Sequence, residues 1–316
     1  MKIVEFETLD QITLHQQENP VFITMGAFDA IHLGHQDLIN KTVATAKSNN
    51  VSSGLITFHQ HPRSIIQTSK SSSLVFPLNK KLNLINEFNL DFVFLIHFTD
   101  EIMNLSHEDF FHKILLNHLN VRGLIIGENF CFGKNRKGNI SYLQNQSENY
   151  LDLLEVVNIS ESNLSEVSTS NIKNHLKNGD IELVNEYLGR KYSVEGLVIK
   201  GDGRGKQLGF PTLNLPPQSS FIPRAGVYIT TSQINQKSYD SITNIGTKPT
   251  FNFSNPIQEY TIETHLLNCE FEEKVSLIKV EFHHFIRDEI QFEDQFELIS
   301  QIQKDIIQAK EFHESN

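Results

Sequence analysis

The first half of the chain alternates short apolar runs with segments whose apolar residues recur at the helical spacing. The apolar runs are candidate buried strands, and they cover residues 21–25, 53–58, 92–96 and 123–127. The segments with helical spacing lie between them, at residues 35–48, 79–88 and 107–119. Strands that alternate with helices form a parallel sheet covered on both faces, as in Rossmann-like α/β folds. Because ligands of such sheets bind beyond the carboxyl ends of the strands, the site of this half is expected there.

The pattern changes near Tyr187, where closely spaced strand candidates replace the alternation. These candidates cover residues 192–201, 225–234, 239–246, 260–267 and 275–286. With Gly, Pro and Asn turns between them and no helical segments, they predict a small antiparallel β-barrel. A C-terminal helix is predicted over residues 293–312, with an apolar face of Phe296, Ile299, Ile302, Ile306 and Ala309. The boundary is expected between Ser168 and Tyr192, which gives domains 1–180 and 181–316.

Composition and charge limit the classes of partner. The chain has 316 residues, of which 39% are hydrophobic, and this is enough for two folded domains. The net charge of −11 disfavours a nucleic-acid binder but not small phosphorylated ligands, because a local pocket can be positive in an acidic protein. Cys131 and Cys269 lie far apart and outside any CxxC pattern, so neither a cysteine zinc site nor a disulfide framework is expected.

The apolar runs of the chain indicate its location. The first ten residues lack the apolar core of a signal peptide, and the longest apolar runs are too short to cross a bilayer. We therefore expect a soluble cytoplasmic protein without a membrane partner, either a monomer or a transient homo-oligomer.

A turn of small residues follows the first strand and holds His32 and His35 on either side of Gly34. Because the turn leads into a helical pattern, free backbone N–H groups and the positive helix end meet there. Gly26 and Gly34 allow the chain to pack close to a phosphate. Both imidazoles can donate hydrogen bonds to phosphate oxygens and stabilise charge that builds during transfer. The stretch predicts a site for a nucleoside triphosphate attacked at its α-phosphate; ordinary surface or core histidines are the alternative.

A second glycine-rich run, residues 201–215, lies among the antiparallel strands. Its spacing matches neither a P-loop nor a dinucleotide-binding fingerprint. Thr212 and Asn214 are two residues apart and face the same side of an extended chain, where their oxygens suit Mg²⁺ with a nucleotide phosphate. Glu263 lies on a later strand candidate and is a candidate general base for phosphoryl transfer to a primary hydroxyl. The alternative for Glu263 is an ordinary exposed strand position.

Four segments of the first half occur in the order typical of one family. They are GAFDAIHLGH (26–35), TFHQHPR (57–63), GENFCFGKNRKGN (127–139) and STSNIK (168–173). The first resembles the HxGH motif of nucleotidylyltransferases, and the set resembles the adenylyltransferase half of the bacterial bifunctional riboflavin kinase/FAD synthetase family. The resemblance implies an ATP site at Gly26, Phe28, Asp29, His32, Gly34, His35, Ser168, Thr169 and Lys173. It also implies flavin contacts at Phe58, His61, Asn129, Phe132 and Arg136.

The match departs from the family pattern at four positions. Ala30 replaces a turn glycine, Gln60 a proline, Cys131 a basic or polar residue, and Lys173 an arginine. Lysine keeps the charge of arginine but loses its planar, two-pronged grip on a phosphate. If position 30 needs a positive φ, alanine strains the turn by about 1 kcal/mol. If it does not, the substitution causes no backbone strain. A weakened adenylyl-transfer site is the resulting hypothesis.

The second half resembles the riboflavin kinase module of the same family. GDGRGKQLGFPTLNL (201–215) matches the pattern G-x-G-R-G-x-x-L-G-F-P-T-x-N-L throughout, and FIRDEIQF (285–292) resembles the R-x-E-x-x-F segment. The resemblance implies an ATP-binding loop at Gly201, Gly203, Arg204, Gly205, Lys206, Gly209, Pro211, Thr212 and Asn214, with Mg²⁺ at the last two. It implies flavin binding at Glu263, Arg287 and Phe292.

The resemblance implies an enzyme that makes FAD in two steps. ATP phosphorylates riboflavin to FMN in the second half, with Glu263 as the catalytic base for the ribityl hydroxyl. A second ATP adenylylates FMN to FAD in the first half, with His32 and His35 as catalytic residues and pyrophosphate as the leaving group. One alternative is that only one of the two activities is retained, most simply the kinase, because the substitutions in the first half have weakened adenylyl transfer. The other is a non-catalytic flavin or nucleotide sensor.

Overall fold

Two units make up the chain in the computed structural model, which describes residues 1–59, 74–158, 166–201, 203–216, 221–248, 259–269 and 275–315. The first unit is Met1–Thr169 and the second is Ser170–Asn316. Each has one main sheet, parallel in the first unit and antiparallel in the second. Among the described residues, no helix is both long enough and apolar enough to cross a bilayer.

The strands described in the first unit are β1 Lys2–Phe6, β2 Val21–Met25, β3 Ser52–Phe58, β4 Phe92–Ile96, β5 Val121–Gly127, β6 Cys131–Phe132, β7 Gly138–Asn139 and β8 Leu153–Val157. Six of them form a parallel sheet in the order β1-β4-β3-β2-β5-β8, while β6 and β7 pair separately as an antiparallel hairpin. The four strands expected from the apolar runs are confirmed as β2 to β5. The edge strands β1 and β8 have no counterpart among the four apolar runs.

The helices described in the first unit are α1 Leu9–Leu14, α2 Leu33–Ser48, α3 Leu78–Asn86, α4 Asp100–Asn104, α5 His107–Asp109 and α6 Ile140–Tyr150. Those expected at residues 35–48 and 79–88 are confirmed as α2 and α3. The helix expected at residues 107–119 begins as α5 and continues as a π-helix, Phe110–His118, in which hydrogen bonds reach five residues back.

Apolar layers cover both faces of the parallel sheet, so β2 is buried at every residue. Successive residues of a strand point to opposite faces. Ile23 therefore packs in one layer with Leu124, while Phe22 packs in the other with Ile125. The residues that directly follow these strands lie at the carboxyl edge of the sheet.

The helices described in the second unit are α7 Thr169–Asn178, which begins at the unit boundary, α8 Ile181–Leu188, α9 Arg204–Gln207 and α10 Gln295–Ser315. Its strands are β9 Tyr192–Leu197, β10 Leu213–Leu215, β11 Gly226–Ile234, β12 Lys237–Lys248, β13 Glu259–Leu266 and β14 Leu277–Arg287. They form an antiparallel sheet in the order β10-β13-β12-β11-β14-β9. One bridge, in which the Ile199 N–H donates to Asn214 O at 2.8 Å, joins the two edges. The expected barrel is thus confirmed as a partly closed one.

Hydroxyl groups fill part of the barrel interior. Thr230 and Ser232 of β11, Ser241 and Thr243 of β12, and Thr264 of β13 are all fully buried. Hydrogen bonds of 2.8 to 2.9 Å link their five oxygens in one continuous chain. Because every hydroxyl has a partner, the chain avoids the free-energy cost of leaving a buried polar group unpaired.

The C-terminal helix α10 packs against the barrel through Ile306, Ala309 and Phe312. The expectation that Phe296 belongs to this apolar face is wrong: its side chain is 82% exposed, because the first three residues of the helix all face solvent. The buried face instead contains a carboxylate, Asp305, which is 2% exposed. Arg287, at the end of β14, donates to Asp305 from Nε at 3.1 Å and from a terminal nitrogen at 2.7 Å.

Asp305→Ala should lower the free energy of unfolding by about 3 kcal/mol, because Arg287 keeps its charge in a mostly buried position and loses its partner. Denaturant unfolding followed by circular dichroism measures the loss. Glu311→Ala removes an exposed carboxylate from the same helix and should change the free energy by less than about 0.5 kcal/mol. Equal effects of the two substitutions would contradict a stabilising role of the Arg287–Asp305 pair.

Candidate functional site

His32 and His35 lie at the N-terminus of α2, just after the turn that follows β2. His32 is the N-cap residue, and its Nδ1 accepts a hydrogen bond from the His35 N–H at 3.3 Å. A neutral His32 ring therefore carries its proton on Nε2. The two rings stack with their centroids 3.7 Å apart and their planes 17° apart. The fold thus brings two imidazoles together at the positive end of a helix.

Ala30 lies in this turn and is fully buried, and its φ is not positive. The positive φ angles belong instead to Phe28, at 47°, and Ile31, at 46°. Alanine at position 30 therefore causes no left-handed strain in the backbone. A β-branched residue such as Ile31 rarely adopts a positive φ, and strain of this kind is concentrated at functional turns. Asp29 helps to hold the turn, since its Oδ1 accepts the N–H of Val75 at 2.7 Å.

The ammonium group of Lys81, on α3, joins this turn to the end of β3. Lys81 is 1% exposed, and it donates to Ala27 O at 2.8 Å, Thr57 Oγ1 at 2.7 Å and Phe58 O at 3.1 Å. Three acceptors match the three N–H groups of a charged lysine. Burial lowers the pKa of Lys81 to about 7, and the negative charge of Asp29 acts in the opposite direction.

Two of the expected flavin contacts in the first unit are aromatic. Phe58, the last residue of β3, is half-buried and packs edge-to-face against Phe98 with ring centroids 5.3 Å apart. Phe132 is buried and packs with Phe110 and Phe130. Phe58 thus lies at the carboxyl edge of the sheet, whereas Phe132 belongs to the core beneath the hairpin.

The other expected flavin contacts lie near the β6–β7 hairpin. Asn129 and Arg136 are exposed. Arg136 donates from Nε to Cys131 Sγ at 2.7 Å, so the cysteine occupies a place where a basic residue would repel the guanidinium. His61 and the substituted position Gln60 lie outside the described residues.

Ser168, Thr169 and Lys173 lie at the start of α7 and are all half-buried. Thr169 is the first residue of the helix, and Lys173 follows it by four residues. Residues four apart lie on the same face of a helix. A hydroxyl and an ammonium group therefore occupy one side of α7.

The glycine-rich run of the second unit forms a loop that contains the short helix α9. Gly203 is the N-cap residue of α9, Gly205 lies within it, and Arg204 and Lys206 on this helix are exposed. Gly209 has a φ of 87°, which side-chain-bearing residues rarely adopt. Gly201 has no room for a side chain, because a Cβ there would lie 2.4 Å from Asn214 Nδ2.

Strand register brings Thr212, Asn214 and Glu263 to one face of the barrel. Asn214 of β10 lies directly opposite Glu263 of β13, and Glu263 lies opposite Asn244 of β12 on its other side. Directly opposed residues of antiparallel strands share a face, with Cβ atoms about 5 Å apart. Asn214 Nδ2 is 3.5 Å from Thr212 Oγ1. The face therefore places a carboxylate between two side-chain amides, and a hydroxyl lies nearby.

The remaining expected residues lie around this face and near the C-terminal helix. Pro211 has its carbonyl oxygen 2.8 Å from His265 Nδ1, which ties the end of the loop to β13. Arg287 is held by Asp305, and Phe292 is half-buried in the segment that leads to α10. The guanidinium of Arg287 is thus oriented by the helix.

The sequence patterns do not predict three residues that shape these sites. Lys81 and Asp305 lie on helix faces that are otherwise apolar, with Ile85 and Ala309 buried four residues further on. A charge within an apolar face is the signal that could have found them, because such a charge is stable only when it is paired. Asn244 carries no such signal, since its place beside Glu263 follows only from the register of β12 with β13.

Two family models match the chain in sequence order. The model described as FAD synthetase matches residues 14–171, and the model described as riboflavin kinase matches residues 188–313. The bifunctional riboflavin kinase/FMN adenylyltransferase of Bacillus subtilis (strain 168) is 33% identical, over 96% of this chain and 96% of its own. The protein of the same name from Haemophilus influenzae is 30% identical, over 93% of this chain and 94% of its own.

A solved structure has the same fold. It is the crystal structure of a Streptococcus pneumoniae protein described as a macrolide-efflux protein, with a TM-score of 0.86 over 98% of both chains. The two sequences are 20% identical, so the likeness concerns the fold alone.

Lys81→Met should change how stability depends on pH. A lysine whose pKa falls from 10.5 to about 7 on folding binds fewer protons in the native state than in the unfolded state between these values. The wild type therefore gains stability as the pH rises through this window, by about 1.4 kcal/mol per pH unit, and the variant lacks this gain. Denaturant unfolding at a series of pH values measures the difference. Lys80→Met, on the same helix, should follow the wild type; a wild-type slope in Lys81→Met would exclude a depressed pKa.

Proposed function

The chain belongs to the family of bifunctional riboflavin kinase/FMN adenylyltransferases, and we propose that its two units divide the two reactions between them. It phosphorylates riboflavin with ATP to give FMN, and it adenylylates FMN with a second ATP to give FAD and pyrophosphate. We assign the adenylyl transfer to residues 1–180 and the phosphorylation to residues 181–316. The observation that carries this division is that each unit has its own set of reactive side chains, stacked imidazoles in the first and the Thr212–Asn214–Glu263 face in the second.

Adenylyl transfer in the first unit depends on stabilising negative charge. A phosphate oxygen of FMN attacks the α-phosphorus of ATP, and the bond from that phosphorus to the β-phosphate breaks as pyrophosphate leaves. The N-terminus of α2 supplies backbone N–H groups and the positive end of the helix dipole. His32 and His35 donate hydrogen bonds to the oxygens on which charge builds. The step needs positioning and electrostatic stabilisation but no covalent intermediate.

Other residues assigned to this reaction bind its two substrates. Thr169 and Lys173, with Ser168, contact the phosphates of ATP, and the turn from Gly26 to Gly34 cradles them. Asn129 and Arg136 are exposed and thus accessible to the flavin, and we assign them direct contacts with it. Phe58 contributes from the edge of the sheet, whereas buried Phe132 shapes the hairpin from below. Lys81 is a positioning residue that fixes the turn relative to β3.

Phosphorylation of riboflavin in the second unit uses Glu263 as general base. The carboxylate accepts the proton of the primary ribityl hydroxyl while its oxygen attacks the γ-phosphorus of ATP, and ADP leaves. Asn214 and Asn244 lie on either side of Glu263 and orient the reacting groups. Arg204 and Lys206 are exposed on the loop and offset the charge of the ATP phosphates.

Thr212 and Asn214 suit Mg²⁺, the ion that accompanies ATP. A threonine hydroxyl and an asparagine carbonyl are the hard oxygen ligands that Mg²⁺ prefers. Gly201 lets the backbone pack directly against the Asn214 amide, where a Cβ would clash with it. When bound there with ATP, the ion would neutralise phosphate charge.

Both reactions consume ATP, and this supports a cytoplasmic location. The substrates are small molecules, namely riboflavin, FMN and ATP. The alternative of a single live activity finds no support in the comparisons, since the relatives are named for both activities. Ala30 does not support it either, because the turn is unstrained at that position.

Chromatography of the products formed from riboflavin, Mg²⁺ and ATP tests the function of the full chain. FMN should appear first, and FAD should follow at its expense. Accumulation of FMN without FAD would support the single-activity alternative, and the absence of any product would support a sensor.

Glu263→Gln should reduce FMN formation by about 10²- to 10⁴-fold, because the amide cannot accept the hydroxyl proton. FAD formation from supplied FMN should remain at the wild-type rate. Glu195→Gln alters an exposed glutamate on β9 and serves as the matched control. Wild-type riboflavin phosphorylation by Glu263→Gln would rule out Glu263 as the base.

The double variant His32→Asn, His35→Ala should reduce FAD formation from FMN by at least about 10²-fold while riboflavin phosphorylation persists. Asparagine is chosen for position 32 because it can still accept the N–H at the start of α2, so the helix cap is kept. His118→Ala, on the π-helix, is the control for loss of a histidine elsewhere. Loss of both activities in the double variant would contradict the assignment of one reaction to each unit.

A further inference from the structure

Three neighbouring strands of the first unit end at a cluster of metal-ligating side chains. Glu5 lies on β1, His97 directly follows β4, and His59 directly follows β3. Backbone hydrogen bonds continue past the strand ends, from the His97 N–H to Phe6 O at 2.8 Å and from the His59 N–H to Ile96 O at 3.0 Å. The sheet therefore holds all three residues at its carboxyl edge, where ligands of parallel sheets bind.

The ligand atoms of this cluster lie within 4.8 Å of one another. His97 Nε2 is 2.8 Å from Glu5 Oε1, and the rings of His59 and His97 stack with centroids 4.2 Å apart and planes 26° apart. His59 Nδ1 is buried and makes no hydrogen bond to any described residue. A buried ring nitrogen without a partner is costly, and such an atom in a native structure points to a ligand.

We propose that Glu5, His59 and His97 bind one divalent transition-metal ion of the class of Zn²⁺, Co²⁺ or Ni²⁺. Two imidazoles and one carboxylate are a ligand set that such ions accept, with water completing the coordination. Mg²⁺ prefers oxygen ligands, so this site differs in donor chemistry from the Thr212–Asn214 face.

Coordination replaces the present stacking and the His97–Glu5 hydrogen bond. Because an imidazole binds a metal in the plane of its ring, at least one ring must turn about its side-chain bonds. The side chains of His97 and Glu5 are 30% and 46% exposed, which leaves room for that movement.

An ion at this position should stabilise the first unit. His59 directly follows Phe58, whose carbonyl accepts a hydrogen bond from Lys81. An ion that ties His59 to β1 and β4 therefore also fixes the end of β3. Because the ion binds the native arrangement of three strand ends, it stabilises the folded state. The melting temperature should rise with Zn²⁺ in the absence of ATP and flavin.

Metal titration of the full chain tests the site. After dialysis against a chelator and then against buffer without Mg²⁺, Co²⁺ binding is followed by visible absorption and Zn²⁺ binding by isothermal titration calorimetry. The wild type should bind one ion at this cluster. His59→Ala, His97→Ala and Glu5→Gln should each weaken its binding at least about 100-fold.

Glu7→Gln and His118→Ala change the same residue types outside the cluster and should bind metal as the wild type does. Circular dichroism and denaturant unfolding in the absence of metal check that every variant is folded. Binding that persists in both His59→Ala and His97→Ala would overturn the proposal. So would a wild type that binds less than one Co²⁺ or Zn²⁺ per chain.

Discussion

Backbone pairing between neighbouring strands decides which side chains meet in both units. In the first unit, parallel pairing aligns the carboxyl ends of β1, β4 and β3, so that Glu5, His97 and His59 come together. In the second unit, antiparallel register places Asn214 opposite Glu263. A slip of one residue would turn Glu263 into the barrel interior, where Thr264 now belongs to the buried hydroxyl chain. The chemistry of each site therefore depends on hydrogen bonds between strand backbones, and the reactive side chains take no part in these bonds.

Local structure follows from the sequence more directly than strand pairing does. Strands buried on both faces, such as β2, produce a continuous apolar run that is easily found, whereas the edge strand β1 fully buries only Phe6 and leaves a weak pattern. The histidine pair is predictable because its members and the helix start are adjacent in the chain. The glutamate and two histidines at the carboxyl edge are not, because their strands are far apart in sequence and only the sheet order joins them.

Two charged side chains buried on helix faces connect secondary-structure elements to one another. Apolar packing alone would specify the arrangement of these elements less precisely. Lys81 joins α3 to the turn after β2 and to the end of β3, and Asp305 joins α10 to the end of β14. Each contact has directional hydrogen bonds, so it is satisfied in one arrangement of the elements only. In both cases the connected element carries residues assigned to substrate binding. Burying a charged group costs desolvation free energy, and the directional hydrogen bonds of Lys81 and Asp305 fix the geometry of the elements that they join.

An acidic chain that binds ATP and FMN must concentrate positive potential where the phosphates lie. With a net charge of −11, the surface as a whole repels anions, so attraction has to come from local sources. For the proposed adenylyl-transfer site these sources are the N-terminus of α2, the two imidazoles and Lys173, and for the proposed kinase site they are Arg204 and Lys206. Lysine at position 173 keeps the long-range attraction of an arginine and loses only the two-pronged contact. The substitution therefore bears on how a bound phosphate is oriented during transfer, and much less on whether the nucleotide is attracted to the site.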